Sequence, residues 1–164
     1  MMTTARRLLD LTAADLMSRD VVTIPRQMSL RAAAHTLARA NVSGAPVTDE
    51  DGRCVGVLSA TDLVRWLDQG ERSAKRSFQA SRCFCNDWEV VEFEALPPDA
   101  VSRYMTTDLV TARPGTRIGL LARWMLDAHV HRVIVTDDSA RPVGVVSTTD
   151  VLAALAREEA GEGP

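Results

Sequence analysis

Two short stretches of this sequence carry the same hydroxyl and acid groups at the same spacing, Ser59-Ala60-Thr61-Asp62 and Ser147-Thr148-Thr149-Asp150. Each follows a Gly and two apolar residues, giving Gly-h-h-Ser-x-Thr-Asp with h apolar, which reads as a strand running out into a helix. The backbone N–H groups of a first helical turn point outward with partial positive charge, and that suits a phosphate. Thr61 and Thr149 would add hydroxyl donors beside them, and Asp62 and Asp150 have the acceptors to take both hydrogens of a ribose 2′,3′-diol. The same letters also satisfy a capping box, in which Ser caps the helix and the acid bonds back to it. One copy alone favours that structural reading. Duplication at identical spacing, with Thr23 and Thr111 also repeated at the ends of two earlier strands, favours the ligand-binding one.

The elements that position these turns are themselves written twice. Val47 to Asp62 returns as Val135 to Asp150 at a shift of about 88 with no gap, and about 17 of the 46 paired positions from Met17/Met105 to Asp62/Asp150 are identical. In the first copy, Val21 to Ile24 is a β-branched strand stopped by Pro25. Ser29 then caps a helix whose Leu30, Ala33, Ala34, Leu37 and Ala40 share one face, and Asn41 closes it. Strands Ala45 to Thr48 and Cys54 to Ser59 flank the hairpin-turn residues Asp49-Glu50-Asp51-Gly52, and Leu63, Val64, Trp66 and Leu67 begin a second helix. After the shift, Leu109 to Ala112, the face Ile118, Leu121, Ala122, Met125 and Ala128, and the strands Val133 to Thr136 and Val143 to Ser147 repeat the order β-α-β-β-α.

Thr12-Ala13-Ala14-Asp15 reads as the start of a short helical arm, and Pro97-Pro98-Asp99 starts another short helix over Ala100 to Tyr104. The expected organisation is a first unit over 12–68, a connector over 69–98 with an added strand at Trp88 to Phe93, and a second unit over 99–156. Residues 1–11 and 157–164 are expected to be flexible, because they have too little to bury.

Composition narrows the function. With 46% hydrophobic and 25% charged residues the chain is of ordinary globular make-up, and a net charge of −3 argues against general affinity for nucleic acid. No stretch approaches the ~18 apolar residues of a membrane span. Arg6, Arg7 and Asp10 stand where a signal peptide needs an apolar core, so a cytoplasmic location is expected. Cys54, Cys83 and Cys85 are an odd number that fits reduced thiols. No nucleophile elbow, phosphate loop with Lys or Rossmann fingerprint is present, so no catalytic residues and no enzyme activity are expected. His129-x-His131 lies at a helix end where the side chains need not converge, and Cys83-x-Cys85 lacks a second ligand pair, so no metal site is expected. Trp66, Trp88 and Trp124 read as core or interface anchors.

The doubled Gly-h-h-Ser-x-Thr-Asp exits, Ser43-Gly44-Ala45-Pro46-Val47 before a second strand, and the Asp15-Leu16-Met17 and Arg103-Tyr104-Met105 lead-ins together resemble a tandem pair of CBS domains, a Bateman module. The resemblance implies an α/β fold of two pseudo-symmetric units packed face to face, and a homodimer. It implies a stand-alone regulatory sensor that binds AMP, ADP or ATP between the units, with S-adenosylmethionine or NAD as further adenosine ligands and no obligatory cofactor. An effector protein would read the bound state. It assigns the ribose to Asp62 and Asp150, the phosphates to Thr61 and Thr149, and the lining of the cleft to Thr23 and Thr111. Gly44, Ala45 and Pro46 would wall the adenine. The second repeat has His131-Arg132-Val133-Ile134 there instead, so the pockets should differ, with Arg132 either approaching a phosphate or simply solvated. Leu37, Leu63, Trp66, Met125, Leu126, Val151 and Leu155 offer the apolar surface for pairing of subunits. The competing reading is a redox-, metal- or protein-responsive module that works through the Cys83–Phe93 connector, its clefts empty.

Overall fold

The computed structural model describes residues 8–73 and 96–159. In chain order these form α1 (Ala13–Leu16), β1 (Ile24–Pro25), α2 (Leu30–Arg39), β2 (Gly44–Thr48), β3 (Cys54–Ser59), α3 (Ala60–Ser73), β4 (Thr111–Ala112), α4 (Ile118–Asp127), β5 (Arg132–Thr136), β6 (Pro142–Ser147) and α5 (Thr148–Glu159). Contacts divide the described residues into two compact units, one of 8–21, 52–54 and 109–159, the other of 22–51, 55–73 and 96–108. The proposed strand at Trp88 to Phe93, together with Cys83 and Cys85, lies outside the described residues.

Each repeat builds a three-stranded sheet, in the order β1-β2-β3 and β4-β5-β6. The first two strands of each are parallel, with Ile24 opposite Val47 and Thr111 opposite Ile134, and β5 and β6 are antiparallel with Val133 opposite Val146. The first strands are shorter and later than the β-branched run suggests, and Pro25 belongs to β1 rather than stopping it. The edge position explains the tolerance, since an edge strand can spare the N–H that proline lacks. Ser29 Oγ accepts the Ala32 N–H at 3.2 Å, so α2 is capped as read, and its apolar stripe Leu30, Ala33, Ala34 and Leu37 packs on Ile24, Val47 and Leu58. The other unit centres on Leu121, Met125, Val133, Val135 and Val146, with Ala13 of α1 in the same cluster.

Both lead-ins dock on a sheet far away in sequence. In one unit Ser18 and Val145 exchange both backbone hydrogen bonds at 3.0 Å, and Ala13 N–H donates to Thr116 C=O at 2.7 Å. In the other, Thr106 and Val57 exchange theirs at 2.9 Å, and Val101 N–H donates to Met28 C=O at 2.8 Å. A glycine makes room each time. A Cβ on Gly56 would lie 2.5 Å from Met105 Sδ and 3.1 Å from the Thr106 carbonyl oxygen, and one on Gly144 would meet the Met17 side chain down to its Cβ at 2.9 Å. Compact units therefore cut the chain differently from the sequence repeats: α1 packs with the second repeat, and 96–106 with the first. Tyr104 Oη donates to Asp99 Oδ2 at 3.2 Å, and desolvation together with that bond raises the phenol above its usual pKa.

Several ends depart from expectation. Leu8–Asp10 forms a 3-10 turn and Leu11 is buried, so the arm is packed from residue 8 rather than flexible to 11. The short helix over Ala100 to Tyr104 is a 3-10 turn at Val101–Arg103. α5 continues through Arg157 and Glu158 into the tail, as residues of good helix propensity allow. Of the apolar residues assigned to subunit pairing, Leu37, Leu63 and Met125 are interior and Trp66 and Val151 half-buried, packed on the cores of their own units, while Leu126 and Leu155 remain outside at 74% and 52% exposure.

The helix ends and hairpins show how the repeats diverged. Asn41 (φ 53°) and His129 (φ 52°) are equivalent left-handed residues after α2 and α4. Behind them, Val42 N–H donates to Leu37 C=O and Val130 N–H to Met125 C=O, both the long bond of a Schellman motif. His129 is thus placed by a helix stop. In the hairpins the left-handed residue is Gly52 (φ 78°) in one repeat and Ala140 (φ 61°) in the other. Ala140→Gly should stabilise the chain by about 1 kcal/mol, because a Cβ is strained at that φ. Urea denaturation checks this, and a lower midpoint would refute it.

Candidate functional site

Both helix-start turns are built by the same backbone geometry. β3 ends at Ser59 and α3 begins at Ala60, whose N–H donates to the Ser43 carbonyl at 2.9 Å, tying the helix start to the beginning of β2. Gly44 fits there because a Cβ would stand 3.1 Å from Leu58 O and 3.3 Å from Ser59. In the second repeat Thr148 N–H donates to His131 C=O at 3.0 Å, and Arg132 pairs with Ser147 across β5 and β6. The strand opening and the helix start thus share one mouth in each unit.

Around the first mouth, Thr61 and Thr23 are exposed, Gly44 is half-buried, and Ala45 and Pro46 are buried within β2. Asp62 is only 8% exposed. Around the second, Thr149, Thr111, His131 and Arg132 are exposed and Asp150 is half-buried. Thr111 pairs with Ile134, two residues along β5 from Arg132, so those side chains stand about 7 Å apart along the strand direction. Ile134 replaces Pro46 and is itself buried. Pro46 and Ile134 are buried in their sheets, whereas Thr23, Thr61, Thr111 and Thr149 are exposed.

The capping box is realised in both turns. Asp62 Oδ2 accepts from Ser59 N–H (2.8 Å) and Ser59 Oγ (2.6 Å), and Asp150 Oδ2 accepts from Ser147 N–H and Ser147 Oγ, both at 2.7 Å. One oxygen of each acid therefore serves its helix. The capping box leaves Oδ1 of each acid outside its hydrogen bonds. Sequence reasoning missed Thr106, whose Oγ1 donates to Asp62 Oδ1 at 3.2 Å, and the only signal was a hydroxyl at both equivalent positions, Ser18 and Thr106. An open depression of about 320 Å³ lined by Arg26, Gln27, Asp49, Glu50 and Asp51 lies at the hairpin end of the first sheet. β3 separates it from the Asp62 turn. Among the described residues no His, Cys, Asp and Glu side chains are grouped to hold a metal ion, and no helix is long and apolar enough to cross a membrane.

The CBS domain family matches the sequence twice, at residues 13–69 and 101–157. The chain belongs to the CBS domain family. Its two α/β units are a tandem CBS pair, a Bateman module. Among curated proteins it is 27% identical over 133 residues to inosine-5′-monophosphate dehydrogenase of Halobacterium salinarum, covering 81% of this chain and 21% of that protein. It is 30% identical over 141 residues to the A-adding tRNA nucleotidyltransferase of Geobacter sulfurreducens, covering 86% and 13%. The CBS pair thus spans about a fifth or less of these enzymes. Among solved structures it is similar to the CBS domain pair of protein MJ0100 in complex with 5′-methylthioadenosine and S-adenosyl-L-methionine (TM-score 0.69, 22% identity, 90% of this chain and 98% of that one). CBSX2 in complex with AMP matches with TM-score 0.68 and 21% identity over 90% and 98% of the two chains. The cytosolic domain of the Mg2+ channel MgtE in complex with ATP matches with TM-score 0.64 and 26% identity over 87% and 48%.

Proposed function

We propose that the chain is a regulatory, non-enzymatic sensor of an adenosine-containing ligand, AMP, ADP or ATP, held at the helix-start mouths. The observation that carries this reading is the repeated mouth itself: an acid fixed by its own Ser through one oxygen, with exposed Thr61 on the same turn in one unit and exposed Thr149 on the same turn in the other, where Arg132 opens β5 opposite Ser147. Fixing the carboxylate in advance lowers the ordering cost of gripping a diol. The exposed hydroxyls and helix N–H groups suit phosphates. The ATP complex of the MgtE cytosolic domain and the AMP complex of CBSX2 support the ligand class.

Binding would favour one packing of the chain over another, and an effector protein would read the difference. A second copy of the chain is the partner we assign to exposed Leu126, Leu152 and Leu155 on α4 and α5.

A melting-temperature panel of AMP, ADP, ATP, NAD and S-adenosylmethionine tests the reading, since a ligand raises stability when it binds the folded form. At a hundredfold excess over Kd the gain is about 2.7 kcal/mol, an upward shift of several degrees. The double variant Asp62→Ala/Asp150→Ala should lose the shift; a shift retained in full removes the acids from the site.

A further inference from the structure

The two helix-start carboxylates are engaged differently, and this deepens the reading of the site just given, on which it rests. A carboxylate offers about four lone-pair sites. In both turns Ser fills two of them on Oδ2. Asp62 Oδ1 also accepts from Thr106 Oγ1 at 3.2 Å and pairs with the Arg65 guanidinium at 3.7 Å. Asp62 is therefore crowded by three donors and a cation at 8% exposure. Among the described residues nothing donates to Asp150 Oδ1, and Asp150 is half-buried. That leaves two lone pairs on one oxygen, the number a vicinal diol needs.

The difference lies in two substitutions at the repeat shift. Arg65 is replaced by Ala153, and Thr106 by Ser18, whose backbone is held by Val145 while its hydroxyl reaches no carboxylate among the described residues. We propose that Thr106, on the docked lead-in, occupies the first-repeat carboxylate as an internal substitute for a sugar hydroxyl, so that the chain takes one diol-bearing nucleotide, at Asp150. Thr106 is then a specificity-determining residue outside the family's helix-start motif. A ligand at Asp62 would have to displace it.

Calorimetric titration of the full chain with AMP, and with ATP in parallel, tests this. The expected result is one molecule per chain, with Asp150→Asn weakening that event by about tenfold or more, the scale of a lost hydrogen bond to a charged group. Thr106→Val should add a second event, removed again by Asp62→Asn in that background. Two equal events in the wild type, a single event removed by Asp62→Asn instead of Asp150→Asn, or a folded Thr106→Val that still binds one nucleotide would each overturn the inference alone. The comparison of Asp150→Asn with Asp62→Asn decides the matter even if Thr106→Val fails to fold. No binding of either nucleotide by the wild type would instead strike the reading of the site, and this inference with it.

Discussion

Replacing Gly144 by Val is expected to lower the unfolding free energy by about 3 kcal/mol, at the upper end for overpacking a tight site. The added Cβ would meet Met17 along its whole side chain, from Sδ back to a Cβ 2.9 Å away. Moving the sulfur alone does not relieve contact with the Cβ, so the Met17 backbone must shift, and Ser18 is the next residue. Its pair of 3.0 Å hydrogen bonds with Val145 then goes too. Chemical denaturation reads the loss. Met17→Ala placed in the Gly144→Val background should recover about 1 kcal/mol, because residues in direct contact do not act additively. A loss under about 0.5 kcal/mol, ordinary for an unconstrained surface position, would show that the arm does not depend on the notch.

Leu58→Ala should cost about 3 kcal/mol, within the range for emptying a fully buried leucine site. Leu58 is fully buried in the core with Ile24, Leu30, Val47 and Leu63, and it directly precedes Ser59. Its carbonyl is also the atom nearest the open side of Gly44, so the end of β3 rests on it. Urea denaturation with unchanged far-UV circular dichroism is the expected outcome. A cost below about 1 kcal/mol would mean that the surrounding side chains collapse into the space, which close-packed interiors achieve only in part.

What the amino-acid pattern reveals is what is local. Cys54 to Ser59 is a short run of apolar residues and Gly preceded by the turn residues Asp-Glu-Asp-Gly, so the extent of β3 is legible in the sequence, as is the start of α2 in Ser29 and its apolar stripe. Asp15 reaching back to Thr12 was equally local, and its carboxylate accepts the Thr12 N–H at 2.8 Å. The short parallel strands were less clear. β1 is two residues long and owes its place to pairing with Val47 and Thr48, a non-local fact that β-branched letters do not encode.

The candidate site divides along the same line. The spacing of Ser59 and Asp62, or Ser147 and Asp150, shows that a capping box can form, and it does. The spacing leaves open how the second oxygen is used, because Thr106 reaches Asp62 from 44 positions away through the docking of a lead-in. Likewise, the letters of Gly56 and Gly144 belong to the repeated motif, but their reason for being glycine is a methionine supplied from elsewhere in the chain.

That crossed docking also sets an order of events during synthesis. Ser18 hydrogen-bonds to Val145, whereas Val57 waits only for Thr106. A chain leaving the ribosome from its amino end can close the nearer pair while the farther one still lacks a partner. The arm carrying Met17 is thus among the first of the described segments to be translated and cannot be seated until β6 exists, so the Gly144 notch stays open until that strand has been made.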